Sequence, residues 1–197
     1  MKHQYFLLYK PYGYLSQFTK EMPEHRTLGD LYAFPKAVYP VGRLDRDSEG
    51  LLLLTDDKKL TERLLNPKFR HPRTYYVQVE GVPSEAALEQ LRLGVDIRIK
   101  KKTYRTRPAQ VQVFETPPQV PERQPPIRFR ANIPTTWLCL SLTEGKNRQV
   151  RRMCAKVGFP VLRLLRWSIG KVALGNMKVG EVKMLEREEL YELLDVL

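Results

Sequence analysis

A dense polar segment directly before an apolar run is the first candidate for chemistry in this sequence. Residues 43–49 read Arg-Leu-Asp-Arg-Asp-Ser-Glu and carry three carboxylates and two guanidinium groups. The leucines of Leu51–Leu54 follow and predict a buried strand. A carboxylate beside such a strand, Asp45 for example, could act as a nucleophile or stabilise a cation. Taken alone, the pattern favours the alternative of a charged, solvated turn.

A second candidate lies in a basic, helix-like segment at 147–157. Its apolar residues recur at helical spacing and predict a buried stripe: Val150, Met153, Cys154 and Val157. Arg148 and Arg152 share another face of this predicted helix. Arg151 adjoins the stripe, so it could point into a cleft and meet a carboxylate. The residues leave two roles open, catalysis and a nonspecific grip on phosphate groups.

Other familiar active-site patterns do not occur in the sequence. The three histidines and two cysteines are scattered, without the spacing of metal ligands. The sequence has no glycine-rich phosphate loop, no dinucleotide fingerprint and no Gly-x-Ser-x-Gly nucleophile elbow. An enzyme of this sequence would have to work with carboxylates, tyrosines and arginines, and we expect it to hold no metal.

The positive charge of the chain is concentrated in two stretches. Lysine and arginine number 34 against 22 acidic residues, which gives a net charge of +12. Segment 98–130 holds nine basic and two acidic residues, segment 141–171 holds eight basic and one acidic, and the rest is nearly neutral. Such focused charge favours a polyanionic partner, above all a nucleic acid, over a surface that is basic only for solubility.

Length and composition exclude several classes of protein. A chain of 197 residues can bury a sizeable core without disulfide bonds, and its two cysteines cannot form the framework of a secreted mini-protein. The longest aliphatic run is far shorter than the ~20 residues of a membrane span, and no secretory signal is recognisable. A hydrophobic content of 42% argues against disorder. We expect a cytoplasmic protein without a membrane partner.

The elements that would position these residues follow from periodicity and turn signals. Helices are predicted at 57–65, 84–93, 147–157 and 186–194. A short apolar run at 4–9 ends at a turn over residues 10–13, and strands are predicted at 50–55, 74–80, 95–100, 109–115, 127–133, 137–143 and 161–168. Because strands follow one another without regular alternation with helices, the pattern predicts an α+β fold with a mostly antiparallel or mixed sheet. The proline-rich segment 116–126 is predicted to be a long loop.

The predicted strand at 74–80 carries a further candidate residue. Successive side chains of a strand point to opposite faces, so Tyr75, Val77 and Val79 share one face and Tyr76 lies on the other. The two valines mark the buried face. Tyr75 is therefore predicted to be the inward tyrosine of the pair.

Several motifs occur in order along almost the whole chain. They are Lys10-Pro11-x-Gly13, Gly42-Arg-Leu-Asp45 followed by Asp-Ser-x-Gly-Leu-Leu-Leu-Leu-Thr, Arg73-Thr-Tyr75, Glu144-Gly-Lys-Asn-Arg-Gln-Val-Arg-Arg-Met153 and Arg166-x-x-Ile-Gly170. Together they resemble the RsuA-type family of ribosomal RNA pseudouridine synthases. The sequence opens directly on the catalytic-domain motif, without the small N-terminal RNA-binding domain of many relatives, and so is most similar to the RluE-like large-subunit branch.

The resemblance implies a fold and a reaction. It implies a single catalytic domain over residues 1–197, with a bent, mixed, mostly antiparallel sheet flanked by helices and two subdomains around a basic catalytic cleft. The implied reaction converts one uridine of large-subunit ribosomal RNA to pseudouridine on a flipped-out nucleotide. That isomerisation involves no redox change or hydrolysis, so we expect no cofactor. We expect ribosomal RNA as the partner of a monomeric protein.

The resemblance also implies roles for single residues. Asp45 matches the catalytic aspartate, Tyr75 the tyrosine that stacks on the target uracil, and Arg151 the arginine that pairs with the aspartate. Arg43 matches the residue that fills the gap left by a flipped base. The remaining RNA-binding candidates are basic residues of the same two motifs: Arg46, Lys146, Arg148 and Arg152.

Two other functions stay open at this point. One is the same synthase chemistry on small-subunit ribosomal RNA or transfer RNA. The other is a non-catalytic RNA-binding or ribosome-assembly protein on the same scaffold, which the charge pattern alone does not distinguish from an enzyme.

Overall fold

The computed structural model describes residues 2–128 and 130–196. The chain forms two compact units: the first holds the residues up to His71 and those from Arg166 onward, and the second is Pro72–Leu165. The fold is mixed α+β with mostly antiparallel strand pairing, as the sequence predicts.

Among the described residues there are four α-helices: α1 (Lys58–Leu65), α2 (Glu85–Leu93), α3 (Gln149–Lys156) and α4 (Arg187–Leu194). Short 3₁₀ helices form at Leu28–Asp30 and Pro67–Phe69. The strands of the described chain are β1 (Tyr5–Lys10), β2 (Tyr14–Leu15), β3 (Arg26–Thr27), β4 (Tyr39–Pro40), β5 (Glu49–Thr55), β6 (Arg73–Glu80), β7 (Asp96–Ile99), β8 (Lys102–Arg105), β9 (Gln110–Val113), β10 (Thr135–Leu142), β11 (Val161–Ile169), β12 (Val172–Ala173) and β13 (Val182–Leu185).

Side chains cap the N-terminal ends of two helices. The Asp57 side chain accepts hydrogen bonds from the backbone N–H groups of Lys59 and Leu60 at 3.0 and 3.1 Å, which satisfies two donors at the start of α1. Ser84 caps α2 in the same way. Gly94 ends α2 with a φ of +88°, and a Cβ there would lie 2.4 Å from the carbonyl oxygen of Thr106. Only glycine fits this position.

The central strands of the first unit are β1 and β5. They pair antiparallel, with Tyr5 opposite Thr55 and Lys10 opposite Gly50, and β13 pairs with the other edge of β1. Every residue of β1 and β5 is buried. One hydrophobic cluster of this unit consists of Phe6, Leu8, Leu28, Val38, Leu44, Leu52 and Leu54. The polar loop before β5 is therefore attached to a fully buried strand.

In the second unit, β10 pairs antiparallel with β6 on one side and β9 on the other. Strands β7 and β8 form a separate antiparallel hairpin. Val77 and Val79 of β6, Leu138 and Leu140 of β10 and Met153 of α3 are almost fully buried in one cluster. This core fixes β6 and α3, the two elements with catalytic candidates.

The structure differs from the predictions made from the sequence in several details. No described residue of segment 127–133 is in a strand, and residues 131–133 form a turn region instead. A strand at Lys102–Arg105 was not predicted, because its polar residues lack an apolar alternation. Arg148 does not belong to the body of helix α3, since it is the N-cap residue with a left-handed φ of +51°. The segment 116–126 has no regular secondary structure, as predicted.

Candidate functional site

The loop that carries Asp45 is held to the first unit on both sides. The backbone N–H of Val41 donates to the carbonyl of Leu53 at 2.7 Å, and buried Leu44 packs in the core next to Asp45. The Ser48 N–H donates to the Asp45 carbonyl at 3.0 Å and closes a turn. Asp45 is thus a partly exposed carboxylate on a fixed backbone.

A second tether joins this loop to the turn after β1. The Gly13 N–H donates to the carbonyl of Arg46 at 2.8 Å, and the Arg46 Nε donates back to the Gly13 carbonyl at 3.3 Å. Part of the guanidinium of Arg46 is therefore used in holding the loop. Arg43 and Arg46 are both exposed.

The glycine that ends the polar loop is required by packing. Gly50 has a φ of +108°, and a Cβ at this position would lie 2.3 Å from the carbonyl oxygen of Arg166. The Arg166 Nε also donates to the Leu51 carbonyl at 2.8 Å. Because Gly50 of β5 lies so close to the backbone of Arg166 in β11, no larger residue fits at position 50.

Lys10 is the residue that sequence reasoning missed. It appeared only as part of a family motif, yet it is 0% exposed in the structure. Its ammonium nitrogen donates to the carbonyls of Pro11 and Tyr14 at 2.9 and 2.7 Å. Burial lowers the pKa of Lys10 to about 7, against the opposing fields of three carboxylates, Glu49, Asp47 and Asp45.

The structure confirms the predicted inward face of β6. Val77 and Val79 are fully buried, and Tyr75 is partly buried against the same cluster. Tyr76 points away and packs edge-on against Phe114, with 4.9 Å between ring centroids. Burial raises the pKa of Tyr76. Tyr75 is therefore the tyrosine of this pair that the core of the second unit positions.

Arg151 lies on α3 at the edge of the buried stripe, as predicted. Val150, Met153 and Cys154 are buried, whereas Arg151 is partly exposed. The Arg151 Nη1 donates to the Val161 carbonyl at 3.3 Å. Burial raises the pKa of the Cys154 thiol to about 12, and the positive charge of Arg151 opposes that rise.

Arg152 has a structural task that its sequence position did not reveal. Its guanidinium donates to the carbonyl of Arg98 at 2.6 Å and to the carbonyl and side-chain oxygen of Asn147 at 3.1 and 3.2 Å. These bonds join α3 to the β7–β8 hairpin and to the loop before the helix. Arg152 thus holds these segments together, and its predicted contact with RNA stays a prediction.

The loop before α3 is built around a buried carboxylate. Glu144 is 3% exposed and accepts from the Arg107 N–H at 2.9 Å and from the Gln149 side chain at 2.6 Å. It also accepts from the Tyr104 hydroxyl, and this bond raises the pKa of Tyr104. The Lys146 ammonium lies 4.8 Å from the centre of the Tyr104 ring. Glu144 therefore fixes the segment that leads to Arg148 and Arg151.

The β7–β8 hairpin presents positive charge to solvent. Its exposed basic side chains are Arg98, Lys100, Lys101, Lys102 and Arg105. Arg105 lies 3.8 Å from the Asp96 carboxylate, an ion pair weakened by exposure. This arrangement suits a phosphate backbone.

The predicted catalytic residues are divided between the two units. Asp45 lies in the first, whereas Tyr75 and Arg151 lie in the second. Within the described ranges, no group of three or more histidine, cysteine, aspartate or glutamate side chains could hold a metal ion. No helix found in residues 2–128 and 130–196 is long and apolar enough to cross a membrane.

Comparisons with known proteins identify the family. The model of the family RNA pseudouridylate synthase matches residues 4–156. Ribosomal large subunit pseudouridine synthase E of Vibrio parahaemolyticus is 52% identical over 177 residues, which are 90% of this chain and 71% of that protein. The protein of the same name from Xanthomonas axonopodis is 52% identical over 165 residues, or 83% of this chain and 84% of that protein.

A solved structure supports the same assignment. A pseudouridylate synthase crystal structure is 28% identical with a TM-score of 0.78, and the match covers 98% of this chain and 74% of that chain. The sequence motifs, the fold and the extent of these matches agree. The chain belongs to the RNA pseudouridylate synthase family of enzymes.

Proposed function

We propose that this protein converts a uridine of large-subunit ribosomal RNA to pseudouridine, with Asp45 as the catalytic carboxylate. The observation that carries the proposal is the Asp45 loop, a partly exposed carboxylate on a backbone tethered at Val41, Leu44 and Arg46, in a chain of this family. The choice of large-subunit RNA rests on relatives about half identical in sequence whose names state that substrate.

The reaction needs only groups that this chain supplies. The bond from C1′ of the ribose to N1 of uracil breaks, the base turns, and a bond from C1′ to C5 forms. The proton on C5 leaves and N1 gains one, so atoms and electrons balance without an oxidant or a reductant. A carboxylate can attack as a nucleophile or stabilise the positive charge that develops on the sugar. We assign this task, in either form, to Asp45.

The target nucleotide must leave its helix for this chemistry. Extrusion costs a few kcal/mol, which stacking on an aromatic ring and filling of the gap can offset. We assign the stacking to Tyr75, whose ring is held by the core of the second unit. We assign the gap-filling to Arg43, which is exposed one residue before the anchored Leu44.

Arg151 completes the proposed catalytic set. The family resemblance assigns it as the charge partner of the catalytic aspartate, and its guanidinium is oriented by the bond to the Val161 carbonyl. An arginine suits this task because its guanidinium stays charged and can grip a carboxylate with two N–H groups.

The basic hairpin supplies the proposed grip on phosphate. Lys100, Lys101 and Lys102 are exposed at its turn. Contacts of this kind position the RNA without reading its sequence, and each neutralised phosphate adds to the salt dependence of binding.

The decisive experiment compares two carboxylates of the same loop. Purified wild-type protein, Asp45→Asn and Asp47→Asn are incubated with large-subunit ribosomal RNA transcribed in vitro, and pseudouridine is mapped by carbodiimide labelling and primer extension. We expect Asp45→Asn to lower the rate by about a thousand-fold or more while RNA binding persists. Asp47→Asn is the matched control and retains most of the activity.

The outcomes separate the alternatives. Comparable losses of rate in both variants would mean that the loop acts only through its overall negative charge. That result would overturn the assignment of Asp45. Binding without any product in the wild-type protein would favour a non-catalytic RNA-binding protein. Product formed only on small-subunit or transfer RNA, tested in parallel, would overturn the substrate.

A further inference from the structure

A cavity in the first unit takes no part in the mechanism proposed above. Its volume is about 620 Å³, and residues 16–19, 34–36 and 38–40 line it. Small-molecule pockets range from roughly 300 to 1,000 Å³, so this cavity could hold a group the size of a nucleotide.

Aromatic rings form much of its wall. Phe18 packs edge-on against Phe34, with 5.7 Å between centroids, and against Tyr39, with 6.1 Å. Phe34 is anchored on the hydrophobic cluster of this unit. Tyr39 lies on β4, which is paired with β5, yet 62% of this residue is exposed. The cavity therefore contains a solvent-exposed aromatic ring, that of Tyr39, on a backbone held by strand pairing.

One cation lines the same cavity. Lys36 is exposed, and no carboxylate in the described part of the chain lies within ion-pair distance of its ammonium group. An aromatic ring beside an available cation is the combination that binds single-stranded nucleic acid, since the base stacks on the ring and the cation attracts the phosphate.

One residue of the cavity wall also contacts the loop of Asp45. Ser16 lines the cavity, and its hydroxyl bonds both backbone groups of Leu44, the residue before Asp45. A strand of RNA that reaches the Asp45 loop would thus pass close to the cavity. A small apolar ligand would gain no binding energy from Lys36 or from the nearby Asp45 loop.

We propose that this cavity binds an unpaired nucleotide of the RNA substrate, with its base stacked on Tyr39 and a phosphate near Lys36. The inference rests on the proposed function for the identity of the RNA. The bound nucleotide lies outside the reacting centre, so the cavity contributes to affinity and to the choice of RNA rather than to the chemical step.

Two measurements test the cavity. In single-turnover reactions on large-subunit ribosomal RNA, we expect Tyr39→Leu to raise the half-saturating protein concentration by roughly 5- to 100-fold, the range of one lost base stack. The limiting rate stays within about two-fold of wild type, because Tyr39 does not touch the reacting atoms. Lys36→Met raises the half-saturating concentration in the same way, and Tyr39→Phe restores it because the ring remains.

The matched controls lie in the same unit. Phe69 is another exposed aromatic residue, 39% exposed, that does not line the cavity, and Lys58 is an exposed lysine elsewhere. Phe69→Leu and Lys58→Met leave both kinetic parameters unchanged. If Tyr39→Leu behaves like these controls while the wild-type protein is active, the cavity proposal is wrong and the proposed function stands.

A second probe does not depend on catalysis. A single-stranded oligoribonucleotide containing 2-aminopurine loses fluorescence when that base stacks on an aromatic ring, so its quenching reports the contact directly. We expect wild type and Tyr39→Phe to quench it and Tyr39→Leu not to. Equal quenching by Tyr39→Leu would refute the stacking site. Quenching by a wild-type protein that forms no pseudouridine would retain the site and overturn the proposed function instead.

Discussion

The hydroxyl of Ser16 satisfies both backbone groups of Leu44, since it accepts the Leu44 N–H at 3.0 Å and donates to the Leu44 carbonyl at 2.8 Å. Ser16 and Leu44 are both buried. One side chain therefore replaces the two ladder bonds that a strand neighbour would supply at the residue before Asp45.

Removing this hydroxyl is expected to disturb both stability and turnover. Ser16→Ala leaves a buried N–H and a buried carbonyl without their partner, which costs about 1–3 kcal/mol in the free energy of unfolding. A displaced Asp45 would lower the single-turnover rate by roughly ten- to a hundred-fold. Urea unfolding and single-turnover kinetics measure the two effects.

Ser48 provides the control for this variant. It is a buried serine of the same loop whose hydroxyl has no hydrogen-bond partner among the described residues. Ser48→Ala is expected to leave stability and turnover nearly unchanged. Equal losses at Ser16 and Ser48 would mean that the Ser16 bonds do not hold the loop.

Lys10 is expected to make stability depend on pH in alkaline solution. Its folded pKa is about 7, well below the ordinary value near 10.5. Between these values the unfolded chain binds one proton that the folded protein does not, so stability rises with pH. The neutral amine keeps two N–H groups, which match the carbonyls of Pro11 and Tyr14.

The comparison with Lys10→Met measures this effect. Wild type is expected to gain about 1.4 kcal/mol in the free energy of unfolding per pH unit, relative to the variant, between pH 7.5 and about 9. Urea titrations at three pH values test it, with Lys58→Met as an exposed lysine control. The same pH slope in wild type and Lys10→Met would show that Lys10 stays charged when folded.

The two neighbouring tyrosines of β6 are expected to respond differently to loss of the hydroxyl. Tyr75→Phe keeps the ring for stacking but removes the hydroxyl, to which the family resemblance also assigns help in removing the proton from C5. We expect unchanged RNA binding and a turnover lower by about a hundred-fold, within the usual range for lost acid–base catalysis. Tyr76→Phe keeps its contact with Phe114 and is expected to be nearly silent. Equal damage at Tyr76 would contradict the assignment of the catalytic face.

Two adjacent arginines of α3 provide another matched pair. Arg151→Met keeps most of the apolar stem, and we expect turnover to fall by about a hundred-fold because the charge proposed to pair with Asp45 is lost. Arg152→Met removes three bonds to Arg98 and Asn147, so we expect it to lower stability by about 2 kcal/mol and to leave turnover largely intact. Thermal unfolding and single-turnover rates separate the two. A stable, inactive Arg152→Met together with an active Arg151→Met would reverse the roles.

Local signals in the sequence were sufficient for much of the architecture. The helices predicted at 57–65 and 84–93 do start at Asp57 and Ser84, whose side-chain oxygens cap N–H groups two or three residues ahead. The strict alternation of Tyr75, Val77 and Val79 identified the buried face of β6, since the pleat of a strand leaves no other arrangement.

The same signals were misleading where polar residues find distant partners. The β8 strand consists of Lys-Thr-Tyr-Arg and pairs with β7. These four residues lack the alternating apolar pattern from which a strand is predicted. Arg152 looks like a solvent-facing residue on a helical wheel, but its guanidinium reaches the Arg98 carbonyl, 54 residues away. No window of neighbouring residues contains that contact.

The sequence by itself determined which residue types and motifs the protein has, and with them its family and its candidates Asp45, Tyr75 and Arg151. Only the tertiary structure decided that Lys10 is fully buried and that Ser16 holds Leu44. The physical reason is that capping and alternation depend on a few covalently linked neighbours. Desolvation and long-range hydrogen bonds depend on segments that meet only when the chain folds.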